Sequence, residues 1–245
     1  MPGVRYERQL PLIGADGQAR LLASRVAIIG QGALGTASAS YLARAGVGSL
    51  LLVDDDRVEL SNLQRQSLFD EYDVGASKAV TARDRLRRIN SEIEVEACTG
   101  RLDVDNADAI LSGADLVVDG TDNLAARELI NRWCVEHRVP WIYGGVAGGR
   151  GMTMNILPGG PCFKCLMPGG AMEGDNARTS GIFSTTAALI AAIQCTEAVK
   201  ILARGVNDAS VRRTLLYIDL AENNFEQHAV TRLPGCSVCG GNHGN

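Results

Sequence analysis

Apolar residues along the chain gather in short unbroken runs, and amphipathic segments of helix length separate those runs. The first run, Arg25-Val-Ala-Ile-Ile-Gly30, has strand length, ends in glycine and leads into a helix pattern over residues 36–45. Leu50-Leu-Leu-Val-Asp54 predicts a second strand that ends on an acid, and residues 78–89 an amphipathic helix with arginine on its polar face. Three further strands are predicted at 93–98, 114–119 and 139–143, interleaved with helices at 107–111 and 123–137. Continuous apolar runs suit strands covered on both faces. The alternation therefore predicts an α/β fold, a Rossmann-like, doubly wound and mainly parallel sheet.

After residue 143 the pattern changes. Gly144-Gly-Val-Ala-Gly-Gly-Arg-Gly151 predicts a turn-rich connector, and residues 152–157 alternate like an antiparallel strand. Residues 158–181 are rich in Gly and Pro and predict a loop longer than compact domains usually carry, a kind that tends to have a function. A helix from residue 182 and strands at 215–219 and 225–230 follow, so antiparallel strands are expected to continue the sheet. Ahead of the first strand lies only a short helix pattern, 15–24.

Composition narrows the function. The chain has 245 residues, a length for one large α/β domain or two small ones, with 24 Lys+Arg against 28 Asp+Glu and a net charge of −4. That balance, with 4% aromatic residues, argues against a nucleic-acid surface. Residues 182–203 are the most apolar stretch, but Ser184, Thr185, Thr186, Gln194, Glu197 and Lys200 interrupt it, so a buried helix is expected and no membrane partner. The opening Met1-Pro-Gly-Val-Arg-Tyr-Glu-Arg lacks the apolar core of a signal peptide, and the expectation is a soluble, cytoplasmic protein. Only three histidines occur (His137, His228, His243), which weakens any histidine-based catalysis.

Gly30-x-Gly32-x-x-Gly35 follows a strand and opens a helix, with Ala33 inside the turn. Glycine there lets backbone approach a phosphate at the helix N-terminus, and Asp54, ending the next strand, is placed to accept ribose hydroxyls. Taken alone the motif favours NAD and a dehydrogenase, with a tight turn that binds nothing as the plainer alternative. Ser61-Asn-Leu-Gln-Arg-Gln66 then leaves Asp54, and Lys78 opens the next helix. Asn62, Arg65 and Lys78 would gather at the carboxyl edge of the sheet, where two cations and an amide suit a triphosphate that reacts; a solvated basic face is the plainer alternative. In Asp119-Gly-Thr-Asp122-Asn123 a carboxylate facing those cations would be a natural Mg²⁺ ligand. Asp119, at the strand end, could cap the following helix, so Asp122 is preferred for the metal.

Together these strings, with Arg5-Tyr-Glu-Arg8-Gln9, Gly75-Ala-Ser-Lys78 and two Cys-x-x-Cys pairs, strongly resemble the ThiF/MoeB/HesA family, bacterial relatives of ubiquitin-activating enzymes. The resemblance runs from Arg5 to Cys239. It implies an ATP-dependent adenylyltransferase: Mg²⁺-bound ATP is attacked at its α-phosphorus by the C-terminal Gly-Gly carboxylate of a ubiquitin-like sulfur-carrier protein, giving an acyl adenylate and pyrophosphate. Carried over by position, Gly30, Gly32, Ala33, Asp54, Ser61 and Asn123 would line the nucleotide; Asn62, Arg65 and Lys78 would neutralise phosphates; Asp122 would bind Mg²⁺. Arg8 would reach the phosphates of the neighbouring subunit of a homodimer. Many relatives have glycine where Ala33 stands. The expected organisation is one compact adenylation domain in three parts: an N-terminal arm (1–25), the nucleotide-binding region (26–157), and a crossover loop, helix, C-terminal strands and zinc-bound tail (158–245).

Of seven cysteines, Cys98, Cys134 and Cys195 stand alone among apolar neighbours and are expected to fill the core. Cys162-x-x-Cys165 and Cys236-x-x-Cys239 match a four-thiolate Zn²⁺ knuckle, with two disulfides as the alternative; in the family this zinc is structural. ThiF-type members carry a further cysteine where this chain has Ala177; alanine is no nucleophile, so either the enzyme stops at the acyl adenylate without a covalent cysteine step, or the alanine replaces a natural cysteine. Adenylation of a peptide C-terminus in natural-product synthesis is the neighbouring possibility, and an NAD-dependent oxidoreductase a more distant one.

Overall fold

A computed structural model describes residues 4–168 and 181–240. Five strands run parallel: β1 (Arg25–Ile29), β2 (Ser49–Val53), β3 (Glu94–Cys98), β4 (Leu116–Asp119) and β5 (Trp141–Ala147). Three antiparallel strands extend them, β6 (Arg150–Ile156), β7 (Thr214–Asp219) and β8 (Asn224–Ala229). All eight form one sheet in the order β3-β2-β1-β4-β5-β6-β7-β8. Strands are added outward from β1 on one side (β2, β3) and from β4 on the other (β5). The strand order therefore switches between the parallel neighbours β1 and β4, and a crevice opens beyond their carboxyl ends, where open α/β sheets bind ligands.

Helices cover both faces. α1 (Leu10–Ala23), α2 (Ala33–Ala45), α3 (Lys78–Ile89) and α7 (Ser184–Arg204) bury Val26, Ile28, Leu50, Leu52, Leu116 and Val118 on one side. α4 (Ala107–Leu111), α5 (Leu124–Glu136) and the short α6 (Phe163–Leu166) bury Ala27, Ile29, Val53, Val117, Trp141 and Tyr143 on the other. This double cover is why the parallel strands read as unbroken apolar runs. α7 is long and apolar enough to cross a membrane, but over half of its most apolar window is buried against the sheet and its neighbouring helices.

Several elements differ from the pattern. The first helix starts at Leu10, ahead of the expected 15, because Pro11 is tolerated in a first turn and Gly14, at φ 73°, kinks the helix without ending it. β5 continues through Gly144 and Gly145, which had suggested a connector. Both are demanded by packing: a Cβ on Gly144 would lie 2.5 Å from the Gln194 amide, and one on Gly145 2.6 Å from the Tyr143 hydroxyl. The expected loop 158–181 contains α6, and its residues 169–180 lie outside the described part.

Candidate active site

The turn after β1 is built by backbone contacts that permit no side chain. Gly30 has φ 87°, and a Cβ there would sit 2.7 Å from the Gly120 carbonyl oxygen; one on Gly35 would sit 1.8 Å from the Gly30 carbonyl oxygen. Gly30 N–H donates to Val53 O and Gly120 N–H to Ile29 O, each at 2.8 Å, so the ends of β1, β2 and β4 are locked together. Gly32 is different. A Cβ there would meet nothing nearer than Gly120 O at 3.8 Å. Packing does not require this glycine, and the open space lies at the N-terminus of the 13-residue α2, where Ala33 begins the helix. Backbone N–H groups and a helix dipole facing an open cradle suit a phosphate.

Asp54 follows β2 and accepts the Gln31 N–H at 2.6 Å and the Asp56 N–H at 2.8 Å. Burial pushes its carboxyl above the ordinary aspartate range, against those two N–H groups and the charge of Lys78. Lys78 opens α3 with its side chain 7% exposed, its Nζ 2.8 Å from an Asp56 carboxylate oxygen and its N–H on Asp56 O at 3.0 Å. Asp56, unremarked in the sequence, thus bonds both Asp54 and Lys78. Gly30, Gly32, Ala33, Asp54 and Lys78 are therefore brought to one edge of the sheet.

The Ser61–Arg65 segment folds on itself. Asn62 is buried and its Oδ1 accepts the Glu59 N–H at 3.2 Å; the Ser61 hydroxyl donates to Glu59 at 3.2 Å; and Arg65 Nη1 donates to Ser61 O at 3.0 Å. Arg8 is exposed beside Glu7, and the structure does not bring it to the cleft of its own chain. Its arm is fixed at the opposite edge of the sheet: buried Tyr6 accepts from Asn90 Nδ2 at 2.9 Å, and Gln9 Nε2 donates to Ala45 O at 2.7 Å. α2 spans that separation, about 20 Å at 1.5 Å per residue.

At the end of β4 the role considered for Asp119 is corrected. Asn123 caps α5, its Oδ1 accepting the Ala126 N–H at 2.8 Å. Asp119 is fully buried and ion-paired with Arg127, Nε to Oδ2 at 3.0 Å, because an isolated carboxylate could not remain charged there. Asp122, between them, is exposed at the cleft rim and close enough to Arg127 to act on its charge. An exposed carboxylate oxygen beside a phosphate cradle fits the hard, water-rich coordination of Mg²⁺.

Cys162, Cys165, Cys236 and Cys239 are all buried, with ligand atoms within 4.8 Å of one another. Sγ separations of 3.9 Å (Cys162–Cys165), 3.7 Å (Cys162–Cys236) and 3.4 Å (Cys165–Cys239) are far from a disulfide bond. They bracket the separation of about 3.8 Å set by a tetrahedron with metal–sulfur distances of about 2.3 Å. The Leu233 N–H donates to Cys165 Sγ at 3.4 Å. Burial opposes ionisation of Cys236, but the N–H groups of Cys239 and Val238 outweigh it and hold its thiol at about 6.

Cys134 and Cys195 are core residues as expected. Burial pushes the Cys195 thiol up to about 12 and Cys134 higher still, so neither is a ready nucleophile. Cys98 reaches the core only in part: it ends β3 half-buried and packed against the core cluster, its carbonyl accepting the Asp54 N–H at 3.1 Å. Ala177 lies outside the described residues.

Fold and site define a nucleotide-binding α/β protein with an antiparallel extension and a four-cysteine cluster. The ThiF family model matches residues 6–238, and the chain belongs to the ThiF family. It is 39% identical over 244 residues to the sulfur carrier protein ThiS adenylyltransferase of Escherichia coli, covering 98% of this chain and 96% of that relative. It is 37% identical over 240 residues to the SAMP-activating enzyme E1 of Haloferax volcanii, covering 96% and 88%. Among solved structures, E. coli MccB with ATP aligns at a TM-score of 0.84 and 25% identity over 97% of this chain and 75% of that one.

Proposed function

We propose that this chain is an ATP-dependent adenylyltransferase that activates the C-terminal Gly-Gly carboxylate of a ubiquitin-like sulfur-carrier protein. The observation that carries this is the cleft edge itself. A glycine that packing does not need opens the cradle at α2, with Asp54 and Lys78 beside it and Asp122 on its rim. The similarity to carrier adenylyltransferases over nearly the whole chain supports the same reading.

Asp54 holds the ribose; Asn62, Arg65, Lys78 and the α2 N-terminus take the phosphates, with Ser61, Ala33 and Asn123 lining the nucleotide. The carrier carboxylate attacks the α-phosphorus, the bond to the β-phosphate oxygen breaks, and pyrophosphate leaves. A C-terminal carboxyl is ionised at neutral pH, so no proton has to be removed and no general base is required. Catalysis rests on positioning and charge. Asp122 would hold Mg²⁺, which when bound would supply charge neutralisation at the phosphates. Zn²⁺ in the four-cysteine cluster ties the tail after β8 to the segment carrying α6. The distance of Arg8 from its own cleft suits action across a homodimer.

With Ala177 in place of a cysteine, the enzyme stops at the noncovalent acyl adenylate. Its setting is the cytoplasm. Pyrophosphate exchange with ATP, Mg²⁺ and a panel of Gly-Gly carriers tests the reading; no exchange with any carrier refutes it. The fold likeness to MccB, described in one solved structure as a microcin C7 biosynthetic enzyme, favours a second acceptor class, a short peptide C-terminus. The same assay with peptides separates the two.

A further inference from the structure

The fork where β4 stops and β5 runs on holds a buried ion pair that no step above uses. Arg127, on α5, has its side chain 16% exposed and Asp119 is fully buried. Besides the 3.0 Å pair, Arg127 Nη2 donates to Thr121 O at 2.6 Å and to Gly144 O at 3.0 Å. Asp119 Oδ1 accepts from Thr121 N at 2.9 Å and from Thr121 Oγ1 at 2.7 Å, and its Oδ2 accepts from Gly144 N at 3.4 Å. The guanidinium lies 5.2 Å from the centre of the Tyr143 ring. Burial works against the Arg127 charge, but Asp119 and Tyr143 keep it firmly protonated.

Three of these bonds converge on Thr121 in the link between β4 and α5, and the two to Gly144 anchor the pair to β5. The first residue of that link, Gly120, is pinned to Ile29 and packed on Gly30; Thr121 is gripped at N–H, hydroxyl and carbonyl; Asn123 is fixed as the cap of α5. The residue left projecting from this clamp is Asp122. A buried ion pair is weak evidence of stability, since an apolar pair of similar volume often serves as well. What an apolar pair could not do is hold the Thr121 main chain from both sides.

We propose that Arg127, through Asp119, is the positioning residue that sets Asp122 for the metal at the cleft rim. This rests on the reading of Asp122 as the Mg²⁺ ligand. Arg127 touches neither nucleotide nor acceptor in this scheme; it acts through the Thr121 main chain. Lysine keeps the charge that neutralises Asp119, but its three donors radiate from one nitrogen and lack the planar fork by which Nε and Nη2 reach the carboxylate and the two carbonyls from separate positions. Arg127→Lys therefore separates geometry from charge.

The test is Mn²⁺ affinity, read by electron paramagnetic resonance on the full chain with the nonhydrolysable ATP analogue AMPCPP. Arg127→Lys is expected to weaken Mn²⁺ binding about tenfold, the scale for a partner that orients a metal ligand. It should leave metal-free AMPCPP binding unchanged and speed hydrogen exchange at the Thr121 amide. A folded Arg127→Lys protein that binds Mn²⁺ like the parent overturns the proposal. If that variant does not fold, Asp119→Asn, which preserves side-chain shape, is held to the same expectation. Asp122→Asn distinguishes the underlying reading: parental Mn²⁺ affinity there removes Asp122 as a ligand and the positioning role with it.

Discussion

The two ends of the sheet are built on different terms. At the β2-β1-β4 end, helices cover both faces, the strands are buried, and the candidate site stands on strand ends locked by backbone contacts. At the other end β8 is exposed along all six residues, and the chain beyond it returns to the body through Cys236 and Cys239. The first end gets its geometry from the core beneath it. The second keeps core under β5, β6 and β7 but none under β8, and the chain beyond that strand is gathered at four buried thiols. Damage to the nucleotide end should therefore remove activity at constant fold, and damage to the cysteine cluster should lower stability first.

The largest expected effect is Asp122→Ala. Its side chain is exposed on a loop held by other residues, so pyrophosphate exchange should vanish while the melting temperature stays at the parental value. Comparable exchange in mutant and parent removes Asp122 from the mechanism. Arg65→Ala and Lys78→Ala should each slow exchange by about a hundredfold, the scale for losing one preorganised charge contact. Arg8→Ala should be as inactive as Asp122→Ala when each is assayed alone. Mixed and allowed to exchange subunits, the two should recover about a quarter of parental activity, because half the dimers of a two-fold assembly are mixed and each carries one intact site. No recovery after verified exchange places Arg8 in its own subunit's chemistry or outside it.

Cys236→Ser sharpens the comparison from the other side. Losing one of four thiolates should release metal, lower the melting temperature and loosen the tail while pyrophosphate exchange falls less than in Lys78→Ala. Metal analysis of protein purified without chelators checks the premise: one zinc per chain is expected, and none refutes the assignment.

How far these two ends could be read in advance follows from how they are made. The nucleotide end is assembled from local pieces, a strand, a glycine turn and a strand-end acid, so β1, β2 and the Gly30 turn lay close to their expected places. Gly144 and Gly145 misled because their reason is tertiary: the Gln194 amide and the Tyr143 hydroxyl occupy the space that side chains would need. The Asp119–Arg127 pair escaped because an acid closing a strand and an arginine one turn into the next helix look like two ordinary surface charges until the fork buries both. Asp56 escaped for the converse reason, being one of three successive acids of which only its neighbour Asp54 had a recognised position. The cysteine pairs were legible across 74 residues because thiolate spacing survives any fold that closes around a metal.

The smallest effect compares two strand-end aspartates, one from each end of the sheet. Burial raises the Asp54 carboxyl. At the end of β7, Arg150 lies 3.0 Å from Asp219 and its hydrogen bond lowers that carboxyl, outweighing burial. The linkage signs are therefore opposite. Asp54 contributes its stability fully below its unfolded value and loses it as pH rises through the folded value. Asp219 contributes above its unfolded value and loses that as pH falls through the folded one. Thermal melts of nucleotide-free Asp54→Asn and Asp219→Asn against the parent, across the acid range, should diverge. The parent's advantage over Asp54→Asn shrinks as pH rises, and its advantage over Asp219→Asn grows. Parallel slopes would mean that both carboxylates sit in equivalent surroundings, and the contrast between a desolvated, ligand-facing end and an ion-paired outer end would fail at the residues where it is easiest to measure.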